Sequence, residues 1–268
     1  MLKEDQIERY SRQIILPNVG GKGQEKLFNA KVLIIGAGGL GSPCALYLAS
    51  AGIGKIGIVD SDKVELNNLQ RQILHTTNRV GMPKVESAKE GLNSINPDVE
   101  TALYNIRLMS DNIMDIIKNY DIVIDGSDNF PTRYLVNDAC VLAGKVLSHG
   151  GIFRFDGQAI TILPKKSACY RCLFPEPPPP GLVPSCQEGG ILGAVAGVIG
   201  TIQANEVLKY VLGIGDLLAG KLLVFNALDS SFRQVKVPKD PKCPICGDKP
   251  TITKLIDYEQ FCKLQKRG

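Results

Sequence analysis

Four cysteines carry the most specific chemical signature in the chain. They form two C-x-x-C pairs, Cys169 with Cys172 and Cys243 with Cys246, with 70 residues between the pairs. Each pair can hold one metal from a single knuckle, and two pairs complete the tetrahedral thiolate set that zinc favours. Four thiolates leave no open coordination position, so the site reads as a structural clip rather than a catalytic centre. Two redox or inert pairs are the competing reading.

A second signature is Gly36-Ala37-Gly38-Gly39-Leu40-Gly41, a G-x-G-x-x-G run. Glycines let backbone approach a phosphate, and a helix starting there offers free N–H groups and positive potential. Asp60 lies 19 residues after Gly41, where a carboxylate accepts from ribose hydroxyls. A glycine-rich turn with a capping Asp would leave the same trace, and the motif does not say which nucleotide binds.

The residues that follow favour phosphate chemistry: Asp62, Asn67, Asn68, Gln70, Arg71, Gln72 and Lys84. Arg and Lys neutralise a triphosphate, and side-chain amides hold its oxygens. Asp125-Gly126-Ser127-Asp128-Asn129 ends an apolar segment, and a carboxylate there can hold the magnesium that accompanies ATP. Cys186 follows a run of four prolines, Pro177–Pro180; it reads either as an accessible nucleophilic thiol or as an incidental loop cysteine. Cys44 and Cys140 fall in expected helices as packing residues. His75 and His149, the only histidines, receive no role, because no Ser/His/Asp set assembles around them.

These groups need a scaffold that brings strand ends together. Lys31–Ile35, Lys55–Asp60, Val99–Tyr104, Asp121–Asp125 and a segment opening at Lys145–Ser148 read as strands. Helices are expected over Leu40–Ala51, from Pro83 to about Asn93, over Asp111–Lys118 and over Thr132–Ala143. Continuous apolar strands separated by helices imply an α/β, Rossmann-like, mostly parallel sheet covered on both faces. After Gly150 the pattern turns antiparallel, with a hairpin turn expected at Phe155-Asp156-Gly157-Gln158 and a strand pair at Leu222–Phe225 and Phe232–Val237. The chain is expected to be one domain over 1–268, with a nucleotide-binding half at about 28–150 and an antiparallel, crossover-loop and zinc half at about 151–250.

Composition excludes several classes. The hydrophobic fraction of 44% suits a large globular core and rules out disordered or fibrous chains. A net charge of +4 gives no reason to expect a nucleic-acid or membrane surface. No apolar run reaches membrane-spanning length; the nearest, Gly189 to Ile202, is broken by Gln203, Asn205 and Glu206 and reads as a buried helix. With no export signal the expected compartment is the cytoplasm, where eight cysteines are not disulfides.

Taken together, Arg9-Tyr10-Ser11-Arg12-Gln13, the glycine run, Asp60-Ser61-Asp62, Asn67 to Gln72, Pro83-Lys84, Asp125 to Asn129 and the double C-x-x-C resemble the ThiF/MoeB/HesA family, bacterial relatives of the ubiquitin-activating enzymes. The resemblance runs from about Glu8 to Gly247. It implies an ATP-dependent adenylyltransferase acting on the C-terminal glycine of a small ubiquitin-like sulfur carrier, ThiS- or MoaD-like, ahead of thiocarboxylate formation for thiamine, molybdopterin or thio-modified products. By similarity, Gly39, Asp60, the stretch Asn67, Asn68, Leu69, Gln70 and Arg71, then Lys84, Asp128 and Asn129 line the ATP. Arg71 and Lys84 would stabilise the pentavalent phosphorus, and Asp128 would hold magnesium. Arg12 matches an arginine that reaches the neighbouring subunit's site, implying a homodimer. Cys186 matches a loop cysteine that some members use for a persulfide or thioester link and others do without.

Only 22 residues follow Cys246, so no appended rhodanese domain is expected. Sulfur would come from a separate donor, a cysteine desulfurase or a rhodanese. The double C-x-x-C also argues against the tRNA-cyclising branch of the superfamily. An NAD-dependent oxidoreductase and an ATP-sensing binding module remain as alternatives on the same fold. Hydride transfer needs neither the Arg71 and Lys84 set nor a zinc clip, and a sensor without turnover would have lost the phosphate-contacting cations.

Overall fold

The computed structural model describes residues 2–178 and 189–264. Cys186 lies outside the described residues. Five parallel strands, β1 (Lys31–Ile35), β2 (Lys55–Val59), β3 (Glu100–Tyr104), β4 (Ile122–Asp125) and β5 (Val146–Phe153), lie in the order β3-β2-β1-β4-β5. Three antiparallel strands continue the same sheet beyond β5: β6 (Asp156–Ile162), β7 (Lys221–Asn226) and β8 (Ser231–Lys236). One eight-stranded sheet therefore runs through both halves of the chain.

The described helices are α1 (Glu4–Arg9), α2 (Ser11–Ile14), α3 (Gly20–Asn29), α4 (Gly41–Ala51), α5 (Lys84–Ile95), α6 (Ile113–Ile117), α7 (Phe130–Ala143), α8 (Tyr170–Leu173), α9 (Gly193–Leu212) and α10 (Tyr258–Leu264). Successive strand side chains point to opposite faces, so β1 feeds two cores. Val32 and Ile34 pack with α4, α5 and α9, whereas Leu33 and Ile35 pack with α6 and α7. Both sheet faces are thus covered, as the unbroken apolar strands require. Cys44 and Cys140 are fully buried in these layers.

The hairpin turn shifts by a residue or two. The β5–β6 turn is Arg154-Phe155, with Arg154 at φ +53°, and Asp156, Gly157 and Gln158 belong to β6. Gly157 is there for packing rather than for turning: a Cβ on it would stand 2.3 Å from Ile199 on α9. The buried helix read from the apolar run Gly189 to Ile202 is present as α9 and continues to Leu212. Gln203 and Glu206 are buried and hydrogen-bonded, although Gln203 Oε1 has no partner among the described residues. Gln203 Nε2 donates to the Asp125 and Ser148 carbonyls, and Glu206 Oε2 accepts from Thr161 Oγ1 and the Leu218 N–H. No helix among the described residues is long and apolar enough to cross a membrane.

The four cysteines converge at the edge of the α6–α7 layer. Cys169 caps α8, Cys172 lies within it, and Cys243 and Cys246 come from the loop after β8. Sγ separations are 3.6 Å for Cys169–Cys243, 3.4 Å for Cys172–Cys246 and 4.0 Å for Cys169–Cys172. A tetrahedron with Zn–S near 2.3 Å has edges of about 3.8 Å, so the cluster fits a zinc clip. The Asp240 N–H points at Cys172 Sγ from 3.4 Å, a donor that favours the thiolate. Arg171, between the two cysteines of α8, is buried in a bidentate pair with Asp138 and sits 4.8 Å from the rings of both Tyr134 and Phe261. Purified protein is expected to contain one zinc per chain by metal analysis. Cys243→Ser is expected to lose it together with at least about 3 kcal/mol of stability, on the order of 10 °C in melting temperature, because binding energy in a closed site is folding energy. Full stability in metal-free protein would refute the clip.

Candidate active site

β1 and β4 are neighbours, but the chain leaves their carboxyl ends in opposite directions, and a cleft of about 400 Å³ opens between the two loops. This is the crevice in which open α/β sheets bind ligands, and the volume suits a small molecule. Two glycines allow the β1 loop to fold so tightly. Gly36 has φ +90°, and a Cβ on Gly41 would stand 1.9 Å from the Gly36 carbonyl oxygen. The turn aims the N-terminus of α4 at the cleft, where its unpaired N–H groups attract anions.

The loop is clamped on both sides of Ala37. Asp60 Oδ2 accepts from the Ala37 N–H at 2.8 Å, and Asp60 Oδ1 accepts from the Asp62 N–H at 2.9 Å. Burial raises the Asp60 carboxyl above its ordinary value, while the nearby Lys84 charge and these two N–H groups oppose the rise. On the other side, His75 Nε2 lies 2.9 Å from the Ala37 carbonyl, and His75 Nδ1 lies 2.8 Å from Ser87 Oγ on α5. The carbonyl can only accept, so Nε2 carries the proton and the serine hydroxyl donates to Nδ1. Burial pushes the imidazole below its ordinary value, keeping it neutral.

Two of the cations were singled out from the sequence. Lys84 is the first residue of α5, buried, with Nζ 2.9 Å from Asp62 Oδ2. Arg71 packs its stem over Gly39, and its Nη1 donates to the Asn67 carbonyl at 3.1 Å. Across the cleft, Asn129 caps α7 by accepting from the Thr132 N–H at 2.9 Å, worth about 1 kcal/mol, and directs a second helix N-terminus at the same space. Asp128 stands exposed at this rim; its one hydrogen bond among the described residues is from Asn129 Nδ2 at 3.4 Å. Oxygens remain available to a hard cation, so the donor set fits magnesium. Asp125, behind Asp128, is buried. Desolvation alone would raise its carboxyl, but hydrogen bonds from His149 and Ser127 outweigh it and hold the group below the ordinary value.

Of the residues singled out from sequence, Gly36, Gly38, Gly39, Asp60, Asp62, Arg71, Gln72, Lys84, Asp128 and Asn129 line this one cleft. Gly41, Asn67, Asn68, Leu69 and Gln70 do not line it. Asn68 Oδ1 accepts from the Glu65 N–H and its Nδ2 donates to Asn67 Oδ1, so the two amides brace the short 3₁₀ turn that presents Arg71. Arg12 is exposed on α2. The neighbouring Gln13 bonds Gln24 and the Ala51 carbonyl, which puts α2 at the far end of α4 from the glycine turn.

Arg107, Leu108 and Arg133 are among the lining residues that the sequence reading did not single out. Arg133 lies one turn into α7 from its cap, so its side chain leans back toward the cleft, a position readable from Asn129. Arg107 and Leu108 follow β3 in a loop without any motif. Arg107 also pairs with Glu259 on α10, a contact 152 residues apart in sequence.

A sequence model described as the ThiF family matches residues 10–245. The "Sulfur carrier protein adenylyltransferase" of Thermus thermophilus is 52% identical over 267 residues, covering 98% of each chain. The "Adenylyltransferase and sulfurtransferase MOCS3" of Aedes aegypti is 52% identical over 265 residues, covering 98% of this chain and 61% of its own. This chain thus spans nearly all of the Thermus protein and about three-fifths of the mosquito protein. A crystal structure of E. coli MccB with ATP matches at a TM-score of 0.76 and 26% identity, covering 89% of this chain and 74% of its own. With the family model matching residues 10–245 and a relative 52% identical over nearly the whole of both chains, the chain belongs to the ThiF family.

Proposed function

We propose that this protein is an ATP-dependent adenylyltransferase that activates the C-terminal glycine of a ubiquitin-like sulfur carrier. The observation that carries the reading is the convergence of Arg71, Lys84, Asp128 and two helix N-termini on one cleft at the strand switch point. The name of the Thermus relative, which this chain spans almost end to end, supports the same activity.

The carrier carboxylate is already ionised near neutral pH, so attack on the α-phosphorus needs no general base. A bond forms from carboxylate oxygen to the α-phosphorus while the bond to the bridging oxygen breaks, and pyrophosphate leaves with that electron pair. Charge builds on the phosphoryl oxygens, and the site's task is to align the groups and neutralise it. Lys84 and Arg71 supply fixed positive charge, with Arg71 held by its own turn. The Ala37 clamp keeps the α4 N–H groups pointed at phosphate, and Asp60 stands where a ribose would meet it. Asp128 would hold magnesium, which when bound supplies further charge neutralisation at the phosphates.

The carrier is ThiS- or MoaD-like and the product feeds thiamine or molybdopterin synthesis, with sulfur delivered by a separate cysteine desulfurase or rhodanese in the cytoplasm. The two halves work as one unit, since one sheet joins the nucleotide cleft to the antiparallel extension. Arg12, remote from its own cleft, serves the cleft of a second subunit in a homodimer. Cys186 acts after adenylation: its thiolate takes the activated acyl group as AMP leaves, or, once loaded as a persulfide by the separate sulfur donor, its outer sulfur attacks the acyl-adenylate as AMP leaves.

Arg71→Ala, Lys84→Ala and Asp128→Ala are each expected to lower carrier-dependent pyrophosphate–ATP exchange on the order of 100-fold. Near-normal exchange in all three would overturn the site, and no exchange by the unaltered protein with any carrier ending in Gly-Gly would overturn the activity. Mixing Arg12→Ala with Lys84→Ala subunits should restore part of the activity, because one cleft of a mixed dimer receives both intact residues. Proven heterodimers without restored exchange would return Arg12 to a role outside the site. Cys186→Ala should leave exchange intact and lower thiocarboxylate yield, measured by mass spectrometry of the carrier; a normal yield would make Cys186 a bystander.

A further inference from the structure

His149 and Asp125 form a buried pair that none of the chemistry above requires. They face each other at the last register position of β5 and β4, and His149 Nδ1 lies 2.8 Å from Asp125 Oδ2. Their relative exposures are 2% and 0%. The other oxygen, Asp125 Oδ1, accepts from the Ser127 N–H at 2.9 Å and from Ser127 Oγ at 2.6 Å. The surroundings close the pair off. Gln203 on α9 binds the Asp125 carbonyl, Arg133 on α7 donates to the Ser127 carbonyl at 3.4 Å, and the Tyr170 ring on α8 meets the imidazole edge-on at 4.8 Å. His149 Nε2 is buried with no hydrogen-bond partner among the described residues. The polar engagement of this side chain therefore runs through Asp125 alone.

We propose that His149 is a positioning residue for the nucleotide site, acting through Asp125 to fix the turn that carries Asp128 and Asn129 into the cleft. A carboxylate is planar, and each oxygen of Asp125 is committed to a different segment. The imidazole N–H holds Oδ2, and this stops rotation about Cβ–Cγ that would free Ser127 from Oδ1. Without that N–H, Oδ2 is a buried, unpaired oxygen, and the side chain must turn to find another donor. Ser127 then loses its grip, and the next residue is Asp128. Side chains one step behind a metal or phosphate ligand typically control 10–100-fold in affinity or activity, and this pair occupies that step.

The inference rests on the adenylation reading for its link to turnover, but its first readout does not need turnover. Calorimetry measures ATP affinity with and without magnesium, and zinc content and melting temperature report the fold. His149→Ala is expected to reduce the magnesium-dependent part of ATP affinity by about tenfold, and to leave magnesium-free ATP binding near that of the unaltered protein, because the glycine turn and Asp60 are untouched. His149→Asn should recover most of the loss, since its amide N–H stands where the imidazole Nδ1–H stands. His149→Gln, whose amide extends toward the Nε2 position, should not. In carrier-dependent exchange the same order, unaltered, Asn, then Gln and Ala, is expected for kcat. If His149→Ala does not accumulate, the comparison of Asn with Gln tests the same point. Equal impairment of Asn and Gln at equal zinc content and melting temperature would reduce His149 to packing and overturn the proposal, as would unchanged magnesium-linked affinity in His149→Ala. A protein that shows the affinity pattern but no exchange with any carrier would overturn the adenylation reading and leave the positioning role standing.

Discussion

Everything in the site depends on how closely two loops can approach at the top of β1 and β4. The glycine turn folds back on itself until the Cα of Gly41 sits against the carbonyl of Gly36, with no room for a methyl group. Gly126, beginning the β4 loop, lies against the same backbone: a Cβ there would stand 3.2 Å from the Gly41 nitrogen and the Ile35 oxygen. The two loops are therefore in backbone contact at the base of the cleft. A Cβ at Gly41 has no room within its own loop, and one at Gly126 requires the facing backbone to give by a few tenths of an ångström. The charges above this base can be modest in number because their geometry is fixed from below.

The polar groups behind the cleft form a layer of their own. Asp60 and His75 hold the two sides of the Ala37 peptide, and Asp125 holds Ser127 and is held by His149. Each clamp joins a loop to an element from a different part of the chain: α5 through Ser87, β5 through His149, α9 through Gln203. In a buried setting each hydrogen bond contributes only about 1 kcal/mol net, but losing one partner strands the other at a larger cost. Such networks resist small displacements more than they add stability, and that property suits loops that must keep catalytic groups in place.

Much of this was legible in the residues. Strand ends were readable within a residue or two because apolar runs stop where turn chemistry begins, as at Ile35–Gly36 and Asp125–Gly126. The four-cysteine cluster was legible from spacing alone. The hairpin turn was misplaced because a glycine can serve packing as well as turning, and Gly157 serves Ile199. The burial of Gln203 and Glu206 on α9 was not legible, because their partners Asp125, Ser148, Thr161 and Leu218 come from elsewhere in the fold. His149 could have been reached by aligning the expected strands Asp121–Asp125 and Lys145–Ser148 side by side, which sets Asp125 opposite position 149. Arg107 could not, since its place follows from a loop with no motif and a contact to α10. Cationic residues are the hardest to assign in sequence, because a surface lysine and a phosphate lysine look alike until the fold shows what encloses them.

The ion pair between Lys84 and Asp62 bears on how the site would empty. Lys84 is buried, and Asp62, 67% exposed in its side chain, already neutralises it at 2.9 Å. A phosphate arriving at Lys84 competes with a resident carboxylate rather than meeting a naked ammonium. A polyanion with several oxygens converging on Lys84, Arg71 and two helix ends can win that competition; a ligand with one charge gains little over what Asp62 provides. The same arrangement works in reverse after the triphosphate is split. Each fragment holds fewer of the contacts, and Asp62, never far away, can reclaim the lysine without the site passing through a state in which a buried positive charge stands alone. Under the proposed adenylation, a counter-ion kept within the protein would favour highly charged ligands on entry and ease the departure of less charged ones.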